Sequence, residues 1–188
     1  MLFYNTDVSN FLMISRFPLG AAVLLGLCIP GGAAAHPAPG AHVHGEARVE
    51  LSLDAGELAI DFIAPGASVI GFERRARTDA EADAVAAVAA YIGSGDWIRP
   101  ASVGECRLSQ RQVDAAAFER SADAAVPHAD LIASMRYECA RPMALDAIVF
   151  DPFARFPALE RLRVDYVTAD AQGSEVLTPA RTRVQLAP

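Results

Sequence analysis

Three of the chain's four histidines lie within residues 36–44. His42 and His44 are separated by Val43, and Glu46 continues the same spacing. In an extended strand, residues two apart lie on one face, about 6.5 Å from each other along the chain. Two imidazoles at this spacing can rotate onto one metal ion. The pattern therefore predicts a metal-binding strand face formed by His42, His44 and Glu46.

The fourth histidine belongs to a second candidate ligand pair, far along the chain. His128 precedes Asp130 by two residues, which repeats the spacing of the first pair. We expect the fold to bring His42, His44 and His128 around one Zn²⁺ ion. Asp130 or Glu46 would complete the ligand set or orient an imidazole ring. Cu²⁺ suits the same donors nearly as well as Zn²⁺.

Two other interpretations of these residues stay open. H-x-H is a short motif, and its imidazoles could be solvated side chains near a processed N-terminus. The chain would then be a metal-free structural or interaction module, accessory to an envelope transport system. The remaining interpretation is a small zinc-dependent hydrolase with an open coordination position. It has little support, because the sequence lacks H-E-x-x-H and G-x-S-x-G motifs.

Residues 1–35 are predicted to be a signal peptide. An apolar stretch at about 19–29 follows a positive residue, and Ala33–Ala35 offers a small-x-small cleavage pattern. Cleavage there makes His36 the mature N-terminus, where it is an optional metal ligand. Met13 is an alternative start of translation. The apolar stretch is shorter than the ~20 residues of a membrane span, so we expect a periplasmic protein without an integral membrane segment.

Charge and cysteine content narrow the function further. The formal net charge is −7, which argues against binding to nucleic acid or to an anionic membrane surface. Removal of the signal peptide leaves Cys106 and Cys139. Two cysteines in an exported chain favour a disulfide, since the export pathway is oxidising. Such a bridge closes a loop of roughly 33 residues and stabilises the fold by about 3–4 kcal/mol.

Hydrophobic periodicity predicts a flexible lead at 36–41 and a single α+β domain over 42–188. Alternation from Val43 indicates a strand that turns at 54–56 into an antiparallel partner. The expected architecture is a mainly antiparallel sheet of about six strands with one principal helix and a short second helical piece. The later strands are expected at about 104–113, 131–139, 161–168 and 175–186.

The principal helix is predicted at about 78–93. Thr78 and Glu81 form a capping box at its start, and the glycines from Gly93 to Gly95 end it. The basic run at 73–77 just before it is expected to be a solvated loop. A short aromatic segment near 151–160 is predicted to form a turn or the second helical piece.

Several segments together resemble the ZrgA-like family of bacterial periplasmic proteins. The resemblance covers nearly all residues after the signal peptide. It implies zinc binding in a zinc-responsive uptake system, with components of a metal-uptake transporter as partners and no catalysis. The segments are HVHGEARVELSLDAGELAIDFIAPG (42–66), GFERRARTDAE (71–81), GECRL (104–108), PHADLIASMRYECARP (127–142) and VFDPFARFPALERLRVDYVTADAQG (149–173).

The resemblance places the family's H-x-H-G on His42 to Gly45, its H-A-D on 128–130 and its two cysteines on Cys106 and Cys139. Two departures limit what it implies. Arg74 stands where family members often have the histidine of G-F-E-H, and the long His- and Asp-rich insertion before H-A-D is missing. The resemblance therefore implies at most one defined zinc site, without the high capacity of a His-rich segment.

Overall fold

The structure is a computed structural model of the chain, and it describes residues 43–120 and 129–186. The predictions for the signal peptide, the lead and the ligands His36, His42 and His128 lie outside the described residues. Within the described residues, no helix is both long and apolar enough to cross a membrane.

Nine β-strands and two α-helices form in the described part of the chain. The strands are β1 Glu46–Asp54, β2 Glu57–Pro65, β3 Ile98–Pro100, β4 Cys106–Asp114, β5 Asp130–Cys139, β6 Ala147–Phe150, β7 Arg161–Val167, β8 Gln172–Leu177 and β9 Arg183–Gln185. The helices are α1 Gly66–Val69 and α2 Asp79–Ser94.

Six of these strands form one sheet in the order β4-β5-β2-β1-β7-β8. All its neighbouring strands are antiparallel except β1 and β7, which run parallel. The predicted α+β class and six-stranded sheet are therefore confirmed. A second sheet, with the order β3-β6-β9, was not predicted. Its strands have only three or four residues, too few to show a hydrophobic period.

The first hairpin and the principal helix form as predicted. Ala55 and Gly56 both have positive φ angles, 45° and 91°, as in the two-residue turns that suit the twist of a hairpin. At the start of α2, the Glu81 amide donates to Thr78 Oγ1 over 3.2 Å. The helix ends at Gly95, which adopts the left-handed conformation with φ 77°.

The first strand begins later than the alternating pattern indicates. Gly45 has a φ of 80°, and the Glu46 amide donates to the Val43 carbonyl over 3.1 Å to close a turn. His44 therefore lies in a turn before β1, and its predicted place on the strand is wrong. Hydrophobic alternation does not reveal a glycine with a positive φ angle, because glycine is compatible with both a strand and a turn.

The C-terminal segment also divides where one strand was expected. Thr178 and Arg181 form an isolated bridge around Pro179, which separates β8 in the large sheet from β9 in the small one. The aromatic segment 151–160 forms turns rather than a helix. The short second helix is instead α1, directly after β2.

The core lies between the two sheets and α2. Trp97 is 1% exposed and links these layers, with ring centroids 4.9 Å from Phe62 of β2 and 6.1 Å from Phe150 of β6. Its indole N–H donates to the Ile92 carbonyl of α2 over 3.0 Å, so the buried polar atom is satisfied. The opposite face of the large sheet carries the alternating polar residues of β1 and β5.

The two cysteines of the domain are joined. Cys106 at the start of β4 pairs directly with Cys139 at the end of β5, and the structure forms a disulfide there with a Cα–Cα distance of 3.9 Å. The bridge spans 33 positions of sequence. It ties edge strand β4 to the sheet.

Candidate metal site

The topology brings the two predicted ligand segments to one end of the large sheet. β1 and β5 are each antiparallel to β2, which lies between them. Both strands therefore begin at the end where β2 finishes. Asp130 pairs directly with Pro65, and the β1–β2 register, continued from Arg48 opposite Ile63, places Glu46 opposite Pro65 on the other side. Two strand spacings separate Glu46 and Asp130, about 10 Å between backbones.

Glu46 and Asp130 lie on the same face of the sheet. The next residue of each strand, Ala47 in β1 and Leu131 in β5, is buried, so the two carboxylates lie on the opposite, polar face. Glu46 forms an ion pair with Arg161 of β7. Its carboxylate is thus engaged by a cation of the neighbouring strand.

His44 lies beside a carboxylate that the sequence pattern did not single out. Its Nε2 atom is 3.4 Å from Oε1 of Glu73. The His44 side chain is 73% exposed, whereas that of Glu73 is only 12% exposed. Glu73 is the first residue of the basic run at 73–77, which was expected to be solvated. The one feature that could have marked Glu73 as a site residue was its place in the G-F-E segment of the resemblance. That segment was used only to compare the next residue, Arg74, with the family.

Helix α1 connects the His44 turn to the start of β5. At its first residue, the Gly66 amide donates to the Ala129 carbonyl over 2.8 Å. At its third, Ser68 is 2% exposed, and its hydroxyl accepts from the Gly45 amide over 3.1 Å. The same hydroxyl donates to the Glu46 carbonyl over 3.4 Å. The four residues of α1 are therefore bonded both to the turn before β1 and to the residue before β5, two segments that are distant in sequence.

The basic run before α2 is anchored, which corrects the expectation of a solvated loop. Arg74 donates to both carboxylate oxygens of Glu81, over 2.8 and 2.9 Å, and its guanidinium lies 4.8 Å from the centre of the Phe72 ring. The Arg77 amide donates to the same carboxylate over 2.6 Å. These bonds, led by that from Arg74, lower the pKa of Glu81 from 4.5 to about 2.

Replacing Glu81 with glutamine should lower the melting temperature most at neutral pH. A carboxylate with a lowered folded-state pKa stabilises the fold above its unfolded value of 4.5 and loses this effect as the pH falls through about 2. We expect the difference between wild type and Glu81→Gln to shrink across that window in melts followed by circular dichroism. Asp83→Asn, an exposed change on the same helix, is the control. A difference that persists unchanged at about pH 2 would contradict the role of the charge.

The predicted ligand set is only partly within the described residues. His44, Glu46 and Asp130 lie at one end of the sheet, together with Glu73. Among residues 43–120 and 129–186, no group of three or more His, Cys, Asp or Glu side chains is close enough to hold a metal ion. The three-histidine site therefore stays a prediction, since two of its members lie outside these ranges.

Fold and site together define an α+β domain with histidine and carboxylate side chains near one end of its mixed sheet. The model of the family described as "ZrgA family zinc uptake protein" matches residues 41–186. The chain belongs to this family, which links it to zinc uptake. No curated protein matches the chain.

Proposed function

We propose that the chain is a periplasmic zinc-binding protein that takes part in zinc uptake and is not an enzyme. The observation that carries this proposal is the common starting end of β1 and β5. It brings the segment that contains His44 close to the segment that begins with Asp130. Family membership supports zinc as the cargo.

The remaining histidines are neighbours in sequence of described residues at this end of the sheet. His128 directly precedes Ala129, whose carbonyl accepts from the Gly66 amide of α1. His42 precedes His44 by two residues. We propose that His42, His44 and His128 bind one Zn²⁺ ion, with Asp130 nearby, Glu46 in support and His36 optional. Imidazole and carboxylate donors also accept Cu²⁺, so copper is the competing metal.

A role in delivery rather than catalysis agrees with the environment of Ser68. This hydroxyl is buried and is engaged by the Gly45 amide and the Glu46 carbonyl, so it supports the backbone rather than acting as a nucleophile. The partners we propose are components of a metal-uptake transporter. The metal-free interaction module is the second candidate, and it predicts the same fold with no zinc bound.

The test is the metal content of the tag-free protein isolated from the periplasm after expression with its own leader. We expect a mature N-terminus at His36 and one zinc ion per chain when zinc and copper are offered together. The zinc should be removable by a chelator and restored on addition. A processed protein that binds no zinc would favour the metal-free module. A chain retained unprocessed in the cytoplasm would contradict the proposed location.

A further inference from the structure

We infer that Glu73 is itself a ligand of the zinc ion, bound beside His44. This inference rests on the proposed zinc site and adds a negatively charged donor to it. The carboxylate and the imidazole come from separate segments, the loop after α1 and the turn before β1. Their juxtaposition is thus a product of the fold rather than of local sequence.

The distance between the two side chains fits shared coordination. Nε2 of His44 and Oε1 of Glu73 are 3.4 Å apart, which exceeds the usual 2.7–3.2 Å of an N–H···O hydrogen bond. Two donors bound at about 2.0–2.2 Å to one tetrahedral zinc are separated by about 3.3–3.5 Å. The observed separation of the two atoms therefore matches that of two donors bound to one tetrahedral zinc ion.

Burial makes Glu73 a stronger candidate than the exposed carboxylates near it. Only 12% of its side chain is exposed, and the attraction between a carboxylate and a cation is stronger where water is largely excluded. Glu46, by comparison, is 40% exposed.

The loop holds Glu73 in place from both sides. Phe72 packs edge-on against the buried Phe118, with ring centroids 6.3 Å apart. On the other side, Arg74 is bound through both of its terminal nitrogens to Glu81 of α2. A ligand whose neighbours are fixed loses little conformational entropy when the ion binds. Arg74 itself is directed to Glu81 and is unable to bind a cation.

The experiment compares wild type with Glu73→Gln and Glu73→Ala, using competitive zinc titration and the visible absorption of the Co²⁺-loaded proteins. Glutamine keeps the shape and one side-chain oxygen but removes the charge. We expect zinc affinity to fall about tenfold or more for Glu73→Gln, which keeps one oxygen donor, and by about a hundredfold or more for Glu73→Ala, which keeps none. The Co²⁺ bands should change in both variants, because they report the atoms bound to the metal. Glu57→Gln is the matched control, since Glu57 is an exposed glutamate at the other end of β2.

Circular dichroism of each variant establishes that it folds. If wild type binds zinc and both variants keep its Co²⁺ spectrum, Glu73 is not a ligand, and the inference fails while the proposed function stands. An affinity loss without a spectral change would also overturn it, since Glu73 would then only position His44. If wild type binds no zinc at all, the proposed function fails and this inference fails with it.

Discussion

Replacing either His44 or His128 with alanine is expected to weaken zinc binding by about a hundredfold or more. Loss of a direct ligand should exceed the roughly 10- to 100-fold effect of losing a group that only orients one. The two residues are far apart in sequence, and the proposed shared site depends on the common end at which β1 and β5 begin. Competitive titration of each purified variant measures the loss.

The zinc affinity of a double variant distinguishes one shared site from two independent ones. If both histidines bind the same ion, the double variant should lose little more than either single variant, because the first change already disrupts the site. A protein that starts after Gly40 lacks His36 but keeps the three core ligands, and it should bind nearly as wild type does. Wild-type affinity in both single variants would refute the shared site and leave H-x-H as a solvated turn.

Much of the fold could be predicted because long elements leave a periodic signal. The hairpin β1–β2 and the helix α2 have nine or more residues per element, and their apolar spacing is regular. The three-residue strands β3 and β9 are too short for such a signal. Their pairing with β6 depends on contacts between residues far apart in the chain.

Spacing in the sequence predicts the candidate histidines, but it misses the local geometry around His44. Spacing alone paired His44 with its neighbours on a strand, whereas Gly45 turns the chain and directs the imidazole toward Glu73. That carboxylate lies 29 positions further along, as the two residue numbers show. Helix α1 precedes it and is bonded to Gly45 and Ala129. Hydrophobic periodicity and motif spacing do not predict such tertiary hydrogen bonds, because these bonds depend on the order of the strands in the sheet.

Removing the disulfide should lower the stability of the domain without changing its zinc affinity. The bridge closes a loop of 33 positions, and in the chain-entropy model such a loop contributes about 3–4 kcal/mol to the free energy of unfolding. Cys139 ends β5 and Asp130 begins it. Nine strand steps separate them, about 30 Å, so the bridge and the candidate metal site lie at opposite ends of the sheet.

The variant that tests this is Cys106→Ala with Cys139→Ala, studied by urea unfolding and by zinc titration. We expect its unfolding midpoint to fall and its zinc affinity to equal that of wild type. Denatured, unreduced wild type should contain no free thiol, and a reducing agent should destabilise wild type but not the double variant. Two free thiols per mature chain would contradict the bridge. A lower zinc affinity in the double cysteine variant would contradict the separation of the two sites. It would mean that the bridge at one end of the sheet affects metal binding at the other end.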